Sequence, residues 1–92
     1  MTEAPDDFAP LLGQNVVLDV AAQYVYIGRL AGSDHKYLIL EEADVHDLRD
    51  TTTTRELYVL DTRRHGVSVN RQRVFASRDQ IVSLSALDDV VM

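Results

Sequence analysis

A chain of 92 residues with 46% hydrophobic side chains suffices for one small globular domain, which buries about 60–65% of the surface of its unfolded chain. Zero cysteines exclude disulfides and thiolate metal sites, leaving packing or association as the sources of stability. A net charge of −6 works against whole-molecule attraction to nucleic acid or to an anionic membrane.

That charge is uneven. Residues 55–78 carry Arg55, Arg63, Arg64, Arg71, Arg73 and Arg78 against Glu56 and Asp61, a local balance of +4 on a remainder of −10. Two readings follow: arginines that flank exposed strands and guard their edges, or an anion-binding strip. Residues 1–10 hold Glu3, Asp6 and Asp7 and no apolar run, so no signal peptide is expected. No apolar stretch reaches the length of a membrane span, so a cytoplasmic protein without membrane contact is expected.

In chain order, residues 1–5 read as a tail. Asp7 is placed to cap a short helix, Pro10 suits its first turn and Gly13 its end. Phe8, Leu11 and Leu12 give that helix one apolar face. Val16–Val20 reads as a first strand, Ala21–Gln23 as a turn, Tyr24–Ser33 as a long second strand and Tyr37–Ala43 as a third. Gly28 and Gly32 fall where a curved strand needs a kink or a close backbone approach.

Past Ala43 the pattern changes, and residues 44–66 read as an inserted segment. Val45 and Leu48 suggest one helical turn, Thr51–Thr54 a loop and Leu57–Leu60 a strand. Arg63–Gly66 reads as a turn with Gly66 at positive φ. Val67–Ala76 has strand character and Ser77–Gln80 turn character. Ile81–Leu84 is a short closing strand, and Leu87–Val91 a final turn packed on the end of the domain.

The run from Leu12-Gly13 to Glu41-Glu42-Ala43, with Val16, Val20, Gly28, Leu30, Asp34, Leu38 and Leu40, resembles the first signature of the Sm-like (LSm) family. Val74-Phe75-Ala76-Ser77-Arg78-Asp79-Gln80-Ile81-Val82-Ser83-Leu84 is similar to its second signature, so together the two cover about 45 of the 92 residues. The likeness is to a divergent, bacterial-type member. Tyr37 stands where the family has a base-contacting asparagine, Ser77-Arg78 replaces its Arg-Gly pair, and the segment between the signatures is about fifteen residues longer than in compact members.

The resemblance implies a mainly β fold: a small, five-stranded, strongly bent antiparallel barrel (Sm-like, SH3-like) with a short N-terminal helix, spanning the chain as a single domain. It also implies a homo-oligomeric ring of about five to seven subunits closed by pairing edge strands. Val69, Val74, Phe75, Ile81, Val82 and Leu84 are the interface candidates. The implied function is binding single-stranded RNA, met by stacking and phosphate contacts, or scaffolding an RNA-associated complex. Tyr37 is the candidate to stack, Arg78 to hold phosphate or cover a base, and His35 and Lys36 to donate.

For Tyr37 the plainer reading is a wall aromatic, and for Arg78 a salt bridge to Asp79 or a solvated turn residue. Asp44, His46, Asp47 and Asp50, with Glu41 and Glu42 nearby, match no metal-ligand spacing and read as a solvated acidic turn. No nucleophile elbow or phosphate loop is present. The expectation is therefore a non-enzymatic protein with no catalytic residue, metal, cofactor or small-molecule substrate. The alternative function is a protein–protein interaction module on the same fold, without nucleic-acid binding. Converging arginines favour RNA; scattered ones favour a protein partner.

Overall fold

The structure is a computed structural model and describes residues 4–50 and 53–92. Five strands form a single antiparallel sheet: β1 (Asn15–Val20), β2 (Tyr24–Ser33), β3 (Tyr37–Asp47), β4 (Arg71–Ser77) and β5 (Ile81–Ala86). Their order is β4-β3-β2-β1-β5. The sheet is open. The expected barrel does not close, because β4 and β5 stand at opposite ends of the ladder and do not pair.

The N-terminal helix is a 3-10 segment, Ala4–Leu11, with Pro10 inside it rather than in its first turn. Residues 4 and 5, expected in a tail, belong to it; the rest of that tail and the capping role of Asp7 lie outside the described residues and side chains, as do Thr51 and Thr52 of the expected loop. Gly13, at φ 85°, turns the chain into β1, and its N–H donates to the Leu30 carbonyl at 2.8 Å.

β1 is buried on both faces, which explains its unbroken Val16-Val17-Leu18 run. Val16, Leu18 and Val20 join Leu30, Leu38, Leu40, Ala43 and Ala76 in the main core, covered by Phe8 and Leu11 of the N-terminal segment. On the opposite face Val17, Val25 and Ile27 meet Val59 and Leu87.

The sheet bends at β2. The β2–β3 register shifts between Ile27 and Arg29 and again between Leu30 and Gly32. At the first shift Glu42 sits in the left-handed region, at φ 49°. There β3 approaches Gly28 so closely that a Cβ on it would lie 2.7 Å from the Ala43 Cβ and 2.8 Å from its Cα. Gly28 is thus the close approach its position predicts. Gly32 is different: an added Cβ would meet only Ile39 Cδ1, at 3.8 Å.

The inserted segment departs most from expectation. β3 runs through Asp47, and only Leu48–Asp50 turn as a 3-10 helix. Leu57–Leu60, expected as a strand, lies inside the helix α1 (Arg55–His65). Thr54 starts it, its hydroxyl accepting the Leu57 N–H at 3.2 Å. Val59 and Thr62 are the buried positions, three apart, as one face of a helix requires. Arg63, Arg64 and His65 form its last turn, where cations complement the helix dipole. Gly66, at φ 91°, ends it and donates to the Thr62 carbonyl at 2.8 Å. Residues 66–70 are irregular, so the strand expected from Val67 begins only at Arg71. The 3-10 turns Arg78–Gln80 and Leu87–Asp89 occupy the two expected turn positions.

Candidate functional site

The turn between β2 and β3 is built by Asp34. Its Oδ1 accepts the backbone N–H groups of Lys36 at 2.8 Å and Tyr37 at 2.7 Å, and its own N–H donates to the Tyr37 carbonyl at 2.9 Å. Those two backbone donors hold the Asp34 carboxyl below its ordinary range, the Lys36 bond contributing most. His35 and Lys36 are presented to solvent at the tip.

The turn after β4 meets it. The Arg78 N–H donates to the Lys36 carbonyl at 2.9 Å, and its guanidinium Nη1 donates to the Asp34 carbonyl at 2.6 Å. The same guanidinium lies 5.3 Å from the Phe8 ring centroid. His35, Lys36, Tyr37 and Arg78 are thereby brought into one corner. Arg78 is tied to backbone carbonyls and to Phe8 rather than to Asp79.

Tyr37 is half-buried and meets Phe75 edge to face, with ring centroids 6.0 Å apart and planes at 89°. Lys36 Nζ lies 5.8 Å from the Tyr37 ring. Phe75 itself is 53% exposed on edge strand β4, and Val82 is 72% exposed on edge strand β5. Val74, Ile81 and Leu84 turn inward against the main core, partly buried. Val69 is exposed in the irregular segment before β4, not in a strand.

The arginines do not form one free strip. They are divided among α1, β4 and the 78–80 turn. Arg73 grips Glu41 with Nη2 at 2.7 Å, and Arg29 approaches the other Glu41 oxygen at 3.1 Å. Arg73 above all holds the Glu41 carboxyl below its usual range. Arg55 faces Asp19 at 3.7 Å and donates to the Ala22 carbonyl at 3.3 Å.

A second polar cluster lies under α1, at a place expected to be a solvated acidic turn. Asp44 is only 2% exposed. Its carboxyl accepts from the Tyr58 hydroxyl and, at 3.0 Å, from Asn70 Nδ2. Burial pushes this carboxyl above its ordinary range, against the opposing pull of His46 and Asn70. The His46 ring stacks on Tyr58, with centroids 3.8 Å apart and planes 13° apart. Asn70 Oδ1 accepts the Val45 N–H at 3.0 Å, which joins the segment before β4 to β3. Asp47 is engaged by Arg49 at 2.9 Å. Among the described residues no three acidic or histidine side chains converge as a metal site.

The Sm protein of Pyrococcus abyssii, solved in complex with a uridine heptamer, superposes with a TM-score of 0.60 over 91% of this chain and 99% of its own, at 18% sequence identity. The fold is the Sm fold. No family model and no curated protein matches the sequence. The Sm architecture here carries α1 between β3 and β4, on the sheet face opposite the main core. Among the described residues no helix is long and apolar enough to cross a membrane.

Proposed function

We propose that this chain is a non-enzymatic, cytoplasmic Sm-like subunit that assembles into a ring through its β4 and β5 edges and binds single-stranded RNA where the 34–37 and 78–80 turns meet. One observation carries the reading: the turn built by Asp34 presents His35 and Lys36 beside the Tyr37 ring, and Arg78 ties the 78–80 turn to it through the Asp34 and Lys36 carbonyls. Cation and aromatic face together are the chemistry that single-stranded RNA needs. The uridine heptamer bound by the Pyrococcus abyssii protein supports the same reading.

The second reading, a protein-interaction module, is favoured by the pairing of Arg55 and Arg73 with Asp19 and Glu41, which leaves less free positive charge than the sequence offers. The Asp44–Arg64 region and an exposed sheet edge would then form the interface.

Fluorescence anisotropy with uridine-rich and adenine-rich single-stranded RNA, at about 50 and 200 mM salt, separates the two. The RNA reading expects affinity that falls with salt. Tyr37→Ala should weaken binding about tenfold or more through lost stacking, and Lys36→Ala should reduce the salt slope by about one. Absence of binding at both salts would leave the protein-interaction module.

A further inference from the structure

We infer that Phe75 is a base-stacking residue, and that the outer face around it extends the RNA path from the 34–37 turn onto edge strand β4. The inference rests on the RNA reading above and adds to it a contact on β4 that lies outside the paired turns.

The observation behind it is a bare aromatic corner beside a cation. Phe75 pairs with Ile39 across the β3–β4 ladder, and Ile39 pairs with Gly32 across β2–β3. Gly32 contributes no side chain, and the space where its Cβ would stand is bounded by Ile39 Cδ1 at 3.8 Å. The row Gly32–Ile39–Phe75 is therefore low at one end and carries an exposed ring at the other. Tyr37 closes one side of that ring by an edge-to-face contact, and a pair of this kind fixes ring orientation.

Phe75, 53% exposed as a residue on a sheet edge, keeps apolar area in water that a stacked partner would cover. The chemistry around it selects the partner. Lys36 Nζ, 5.8 Å from the Tyr37 ring, and exposed His35 place donors for phosphate next to a π-face for a base. The acids on either side are already engaged: Asp34 by the Lys36 and Tyr37 N–H groups, and Glu41, one same-face position along β3 from Ile39, by Arg73 at 2.7 Å. An apolar peptide would have no use for those donors; a nucleotide uses both halves.

The chain has no tryptophan, so Phe75→Trp creates a single indole reporter on the platform. It is titrated with a uridine heptamer and with an abasic oligomer of equal phosphate count, while anisotropy of labelled RNA measures binding independently and light scattering tracks mass. The expected result is quenching of the indole by the heptamer and not by the abasic oligomer, with Phe75→Ala weakening heptamer binding about tenfold or more at unchanged mass. Heptamer binding without quenching would overturn the inference and leave the RNA reading standing. A buried, blue-shifted indole in the free protein, with loss of mass in Phe75→Ala, would overturn it in favour of a subunit contact. Absence of binding to any RNA would remove both readings together.

Discussion

Two glycines that look alike in the sequence have different duties. At Gly28 a methyl group would sit 2.7 Å from the Ala43 Cβ and 2.8 Å from its Cα, and backbone cannot swing aside as a flexible side chain would. Gly28→Ala is expected to lose about 1–3 kcal/mol through overpacking, whereas Gly32→Ala, with 3.8 Å to its nearest neighbour, should stay within about 0.5 kcal/mol. Denaturant melts of the two variants check this, and equal losses would contradict the assignment. Asp44 gives the second test at this scale. Its folded pKa is raised, so it stabilises the fold most when protonated, below its unfolded value, and that contribution fades as pH rises through the raised value. Asp34, Glu41 and Asp47 are shifted the other way and favour the fold at higher pH. Asp44→Asn keeps the shape, removes the buried charge and turns one acceptor oxygen into an amide donor; only the lost carboxyl titrates, so the variant's stability relative to wild type should rise between acid and neutral pH. Melting temperatures measured across that range check the sign. The spacing showed Gly28 but not the burial of Asp44, because a carboxyl beside His46, Asp47 and Asp50 looks like solvated surface until α1 is laid over it.

The helix α1 depends on its start and on one buried polar junction. Thr54→Ala removes the acceptor for the Leu57 N–H and should cost about 1 kcal/mol. Tyr58→Phe leaves a buried carboxylate short of a donor and should cost about 1.5–3 kcal/mol. Hydrogen exchange should place the loss in residues 55–65 before the sheet opens; uniform loss across β1 and β2 would contradict a separately docked helix. β2 was readable because its strand-forming residues are bounded by turn residues on both sides, and it has the bounds the sequence predicts, Tyr24–Ser33. The helix was not, because Leu57 to Leu60 is a short apolar run with no periodicity of its own. Leu57 is exposed, and the docked face is mainly Val59, Thr62 and half-buried Tyr58. Thr54 ahead of Glu56 and Leu57, and Gly66 behind three basic residues, were the available signals, namely a cap, an acidic first turn and a basic last turn.

At the scale of the whole molecule, the open sheet exposes two unlike edges, the backbone of β4 at one end and that of β5, with Val82, at the other. Unlike edges on one body make a head-to-tail contact, which closes into a ring when the rotation between copies allows it. Val82 is 72% exposed in the protomer, so Val82→Lys should barely change the fold of a single chain while charging the β5 edge against any strand laid on it. The expected outcome is loss of the assembled mass by light scattering, with an unchanged circular dichroism spectrum. Salt gives an independent check, because assembly and RNA binding respond to it in opposite senses. Each copy carries −6, so gathering copies builds repulsion that salt screens, and assembly should hold or strengthen between about 50 and 200 mM. RNA affinity should fall over the same range, because phosphate contacts release counterions. If mass and affinity instead fall together, binding requires the assembled form and the ionic contacts lie between subunits; if mass is constant at one chain throughout, the edges are not used by copies of this protein.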